Sequence, residues 1–182
     1  MPYLRATTDA PFGFMPHGPV LSIGTYFKDA SAAAIYPGDA VILESDGGLA
    51  VAGASSTDIV GAAAEYSAAS TLKRDFLVYD HPLQKYTVQD DNDTTIMAET
   101  ELGTNVDLVV TTGDTTTLRS LHEIDSSSAT TTAGLAAKVI ALHPIEGVNG
   151  YSGTYTTTGA QARKWIVMFN IDSHHFNTAA GV

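Results

Sequence analysis

The chain contains no cysteine, which removes disulfide staples, thiolate metal ligands and a cysteine nucleophile from consideration. It is also poor in charge. Asp, Glu, Lys and Arg make up 16% of its residues, against roughly 25% in ordinary soluble domains. What charge it has is mostly of one sign, with 20 acids to 9 bases and a net charge of -11. Nucleic acid and anionic membrane surfaces both ask for clustered positive charge, so neither is an expected partner. Apolar runs are short, well under the ~18 residues a transmembrane helix needs. The opening MPYLRATTDAPFGFMPHGP lacks an apolar core behind a basic start. No signal peptide is therefore expected, and synthesis is expected to take place in the cytoplasm.

What is present is a chain of 182 residues, enough for one domain that buries roughly 70% of its unfolded surface. Its punctuation is that of β-structure: short apolar runs bounded by Gly, Pro, Asn and Asp. Strands are expected near 20–27, 40–45, 49–53, 59–67, 75–79, 85–89, 106–111, 117–124, 135–142 and 165–171. Asp46-Gly47-Gly48 is a strong hairpin signal, because such turns need positive φ, and Pro82 marks a second turn. In the last strand Trp165, Val167, Phe169 and Ile171 share one face and Ile166 and Met168 the other, which predicts a central strand covered on both sides. Gly61–Glu65 and 133–142 suit a helix on propensity alone, but their setting favours β. The expected fold class is mainly β: a single antiparallel β-barrel or β-sandwich body with an extended N-terminal arm.

The arm is a compositional boundary. Residues 1–19 carry Pro2, Pro11, Pro16 and Pro19, and proline fixes φ and deletes a backbone donor. Solvated tails rarely hold Phe12, Phe14 and Met15 so close together. The division is thus an arm over 1–19 and a body over 20–182, with a long Gly/Thr-rich loop at 146–163. Pro11, Phe12, Phe14, Met15 and Pro16 are the candidate binding residues, for a sister subunit or a larger surface. The competing arrangement is an arm that folds back and plugs its own barrel.

Motifs for chemistry are weak. Asp90, Asp91, Asp93, Glu99 and Glu101 supply hard oxygens without the spacing of a calcium loop. The neighbours His174 and His175, near Asp172, would point to opposite faces of a strand, and read better as surface histidines of a terminal loop. No Gly-x-Ser-x-Gly elbow and no phosphate-binding loop occurs. Tyr151 and Tyr155 in the long loop suit either a sugar ring or the barrel itself. No enzyme activity, cofactor or metal is expected.

Several stretches in order resemble the head-decoration, or cement, proteins of tailed bacteriophages. They run from Ile35-Tyr36-Pro37-Gly38-Asp39-Ala40-Val41 to Asp46-Gly47-Gly48 and Ile59-Val60-Gly61-Ala62-Ala63. They continue through Phe76-Leu77-Val78-Tyr79-Asp80-His81-Pro82, Tyr86-Thr87-Val88-Gln89-Asp90-Asp91 and Leu102-Gly103-Thr104-Asn105-Val106-Asp107-Leu108. The last are Arg119-Ser120, Glu123-Ile124-Asp125 and Trp165-Ile166-Val167-Met168-Phe169-Asn170. The resemblance implies a structural virion protein on the capsid outer surface that bridges and stabilises major capsid subunits. It implies a homo-oligomer too, a trimer in many members and a dimer in some. A cysteine-free chain suits assembly in a reducing cytosol. The rival expectations are a carbohydrate-binding or adhesive β-module and a β-rich hydrolase. Because no acid or histidine motif has ligand spacing, dialysis against EDTA should leave the melting temperature unchanged. A fall of several degrees, on the order of 1 kcal/mol, would show a structural metal.

Overall fold

Alternation along the strands sets the architecture. In the computed structural model, which describes residues 9–30, 33–70, 72–91, 93, 95, 97–144, 163–170 and 174–177, strands fall where apolar residues recur every second position. In chain order they are β1 Met15–Pro16, β2 Gly24–Lys28, β3 Ala40–Leu43, β4 Gly48–Val51, β5 Ile59–Ala63 and β6 Arg74–Tyr79. There follow β7 Tyr86–Gln89, β8 Asn105–Val106, β9 Leu108–Val109, β10 Glu123–Ile124, β11 Ala137–Leu142 and β12 Lys164–Phe169. Strands β2-β4-β3-β5-β6 close into a barrel, β1-β7-β12-β11-β8 form a second sheet, and β9 with β10 form a ribbon. Among the described residues helix is confined to short 3-10 turns such as Glu99–Glu101, Ser126–Ser128 and His175–Asn177.

The protein is therefore mainly β with a barrel, as the strand-and-turn spacing predicts. The barrel is not wholly antiparallel, however. Strands β2 and β4 run parallel, pairing Phe27 with Gly48 and Lys28 with Leu49, and this pair closes the cylinder. The expected strand at 117–124 shrinks to Glu123–Ile124, because Thr115 to Leu118 make a turn in which Leu118 takes a φ of 53°. The ambiguous stretches at Gly61–Glu65 and 133–142 supply strands, not helices. Most of the loop at 146–163, with Tyr151 and Tyr155, lies outside the described residues, as does Asp172.

Two apolar cores result. Inside the barrel lie Ile35, Val41, Leu49, Val60, Ala63, Phe76 and Val78. The larger core sits between the outer side of β3 and β5 and the second sheet, joining Ala40, Ile59 and Ala62 to Phe14, Tyr86, Val88, Trp165, Val167 and Phe169. Strand β12 is central, flanked by β7 and β11, with Trp165, Ile166, Val167 and Phe169 all buried. The expected cover is thus found over Trp165, Val167 and Phe169, while on the other face Ile166 is buried, Met168 is half-buried, and Ile171 lies outside the described residues.

The boundary at residue 19/20 does not separate an arm from a body. Met15 and Pro16 pair with Thr87 and Tyr86, the His17 N–H donates to the Lys85 carbonyl at 2.8 Å, and the Phe14 N–H donates to the Gly38 carbonyl at 2.8 Å. Phe14 is fully buried, its ring 4.9 Å from that of Phe169 and 6.2 Å edge-on from Tyr86. Proline is tolerated here because β1 is a sheet edge, where one missing N–H strands no partner. The crossing over the Tyr36–Asp39 turn needs two glycines. A side chain on Gly13 (φ 73°) would sit 2.4 Å from Ser120 Cβ, and one on Gly38 (φ 92°) 2.9 Å from the Phe12 carbonyl. The described part of the arm is thus a strap on its own sheet, while residues 1–8 lie outside the description. Phe14→Ala should cost about 3–5 kcal/mol in urea denaturation, whereas the exposed Met15→Ser should stay within about 0.5 kcal/mol. Equal small effects would mean that the strap adds nothing to the fold.

Candidate functional site

The outward positions of the barrel meet two fates. On β3 and β5 the outward residues Ala40, Ile42 and Ala62 are covered by the second sheet. On β6 Tyr79 packs against that same core, but nothing among the described residues covers the other outward positions of β2 and β6. Exposure alternates from Leu21 to Phe27, with Ser22, Gly24 and Tyr26 turned inward and Leu21, Ile23, Thr25 and Phe27 outward. The register sets Thr25 beside Leu77 and Phe27 beside Asp75. Leu21, Ile23, Phe27 and Leu77 are 47%, 50%, 60% and 40% exposed, so one wall of the barrel presents large apolar side chains to solvent. Gln84 Oε1 accepts the Leu21 N–H at 2.9 Å, and Tyr26 donates to Asp80 Oδ2 at 2.9 Å, which fixes the strand that carries the wall. A contiguous apolar patch on a rigid wall marks an interaction surface more often than a random exposed leucine does.

The candidate arm residues do not form such a surface. Phe14 is in the core, Pro11, Phe12 and Pro16 are half-buried, and only Met15 stays exposed. The Lys164 ammonium lies 4.8 Å above the Phe12 ring. The wall residues were visible in the sequence only as an alternating strand with two partly apolar faces, Leu21-Ile23-Phe27 and Tyr26. Nothing local states that Tyr26 turns inward.

A Ser-His-Asp set does converge. Ser120, His122 and Asp39 are buried together, but in the wrong order for acyl transfer. The Ala40 N–H donates to His122 Nδ1 at 3.2 Å, leaving the ring proton on Nε2, which faces Asp39 Oδ1 at 3.5 Å. Asp39 Oδ2 also accepts the Tyr36 N–H at 2.8 Å. The imidazole has no lone pair left to take a proton from Ser120, as a nucleophile's base must. Burial lowers His122 to about 4. Burial also lifts Asp39 to about 6, against the pull of the Ser120 hydroxyl and the Tyr36 N–H. The set braces the strap crossing.

A second polar cluster lies under the start of the strap. Gln89 is buried and fully used: its amide nitrogen donates to Asp9 Oδ1 and Glu123 Oε1, each at 2.9 Å, and its oxygen accepts the Ala10 N–H at 3.2 Å. Burial raises Glu123 to about 7, with Asp9, Asp91 and Asp90 adding repulsion. Burial likewise raises Asp90 to about 7, although Asp90 accepts from Trp165 Nε1 at 3.1 Å and from the Arg163 backbone N–H. Asp91 Oδ1 accepts the Ser126 N–H at 2.8 Å and its hydroxyl at 2.7 Å. His174 is not a surface histidine: it is buried and bridges to Ile59, because the turn His175–Asn177 packs on β5. Burial lowers it to about 4. Among the described residues no group of three or more histidines and carboxylates is placed to hold a metal ion.

Comparison with protein-family models, curated proteins and solved structures finds no match. The wall and the two buried clusters therefore rest on their geometry alone.

The raised carboxylates and lowered histidines give opposing pH dependences. An acid raised on folding stabilises fully below its ordinary value near 4, and that stability is lost as pH rises through 6 to 7. The histidines stabilise above 6.5 and lose it as pH falls towards 4. The two trends offset each other below pH 6.5, and only the acid trend remains above it. Glu123→Gln, a neutral mimic, should raise stability at pH 8 by about 1–3 kcal/mol and change little at pH 5. Thermal melts across that range check this, and an equal effect at both values would contradict it.

Proposed function

We propose that this chain is a structural virion protein, a decoration protein that binds the outer surface of a bacteriophage capsid and stabilises it by bridging major capsid subunits. The observation that carries the reading is the uncovered apolar wall of β2 and β6. Outward residues of β3 and β5 are covered by the second sheet, whereas among the described residues nothing covers Leu21, Ile23, Phe27 and Leu77. Burying a side chain such as Phe27 or Ile23 is worth roughly 1.5–3 kcal/mol, so a few of them support a lattice contact. Copies repeated over a shell add avidity to a modest single contact. Most of the ordered stretches that resemble decoration proteins fall on strands of the barrel and second sheet, Arg119-Ser120 and Glu123-Ile124-Asp125 excepted. A homo-oligomer, most simply a trimer, would multiply the contacts made per binding event. The buried Ser120, His122 and Asp39 set favours this reading over a hydrolase.

The test is co-sedimentation of the purified chain with empty shells of the major capsid protein that this reading makes its partner. Saturable binding that raises the shell's melting temperature is expected. Absence of binding at micromolar concentration, or sharp selectivity on a glycan array, would contradict the reading, the latter in favour of a carbohydrate-binding module.

A further inference from the structure

The apolar wall has a charged collar in which acids outnumber bases. Phe27 sits beside Asp75 on β6 and beside Gly48 on β4. Gly48 carries no side chain; Asp29 Cβ and Asp46 Oδ1 lie 2.8 and 3.1 Å from where its Cβ would stand, so acidic residues fill that flank, next to Glu44, whose N–H donates to the Gly48 carbonyl at 2.8 Å. Glu44, Asp46 and Asp75 are all exposed, and none of them takes part in an ion pair among the described residues. The two exposed bases at this end are already committed. Lys73 Nζ lies 3.7 Å from Asp29, and Arg74 lies 3.2 Å from Glu65. Lys28, the third base, is buried beneath the wall.

We infer that the wall receives a partner surface with an apolar centre and a rim of Lys or Arg, with Phe27 as the inserted knob and Glu44, Asp46 and Asp75 as the acidic collar. This rests on the shell reading above and names the partner's chemistry at that same surface. A guanidinium or ammonium meeting the collar would also lie against the Phe27 ring, where cation–π attraction adds to the ion pairs. A second copy of this chain is a poorer occupant, because it brings the same acids to the contact, and like charges juxtaposed across an interface are selected against.

The experiment uses the full chain and the shells described above. Wild-type binding should weaken on the order of tenfold between ~50 and ~500 mM salt, since exposed charge pairs are screened over that range. Phe27→Ser, and separately the pair Glu44→Lys with Asp75→Lys, should each lower affinity at least about tenfold. Both changes lie on exposed positions, and unchanged melting curves would establish that the fold survives. The pair Asp58→Lys with Glu99→Lys makes the same charge change elsewhere and should bind as wild type or slightly better. Wild-type binding that is indifferent to salt and to the wall variants overturns the inference and leaves the shell reading standing. If wild type ignores the shells, the shell reading falls. The wall is then decided by a nuclear magnetic resonance titration with a short peptide alternating Arg and Leu, against its Glu and Leu counterpart. Shifts confined to residues around Phe27 and Asp75 with the basic peptide alone support the inference; no shifts there, or equal shifts with both peptides, overturn it.

Discussion

Strand β5 is buried on both faces, and the rest of the structure depends on that shared wall. Ile59 and Ala62 face the second sheet, while Val60 and Ala63 face the barrel interior. The spacing works because the pairing with β3 slips by one residue there: Val41 pairs with Gly61 and Ile42 with Ile59. The extra residue is a β-bulge, which bends a strand and increases its twist. Gly61 permits the tightest approach, since a side chain there would lie 2.0 Å from the Tyr79 carbonyl oxygen. That same oxygen accepts the Tyr86 hydroxyl at 2.8 Å, so a hydrogen bond joins the barrel to the second sheet there.

From this wall the asymmetry of the molecule follows. The second sheet covers only the β3 and β5 side, and the strap carrying Phe14 completes that core from its edge. On the opposite side, beyond Tyr79, no layer among the described residues covers β2 and β6. Ile23, Phe27 and Leu77 therefore stay exposed without a structural need for large apolar groups at those positions. A layered β-protein buries one face of each sheet. In the proposed function, this apolar face is the place of a layer supplied by another molecule.

Much of the framework was legible in local sequence. The hairpin at Asp46-Gly47-Gly48 declares itself because Gly47 takes a φ of 81°, and Trp165–Phe169 reads as a central strand because apolar residues fill both of its faces. What was illegible depends on long-range pairing. Trp165 meets Val88 and His122 meets Asp39 across tens of residues, and no window shows either contact. The parallel closure of β2 on β4 has no sequence signature at all. The arm misled for a physical reason: prolines and aromatics suit an outward strap and an edge strand equally, and only the pocket made by Tyr86 and Phe169 decides between them. The wall was half legible, since Leu21, Ile23 and Phe27 alternate plainly, but the inward turn of Tyr26 is set by Asp80, far along the chain.

The central claim is that the open barrel wall is the side facing the shell. A reconstruction of the decorated particle at side-chain resolution tests it most directly. The account predicts that Ile23, Phe27 and Leu77 lie against the major capsid protein, with Lys or Arg of that protein beside Asp75. A particle in which this wall faces solvent, while another surface of the chain meets the shell, would contradict it.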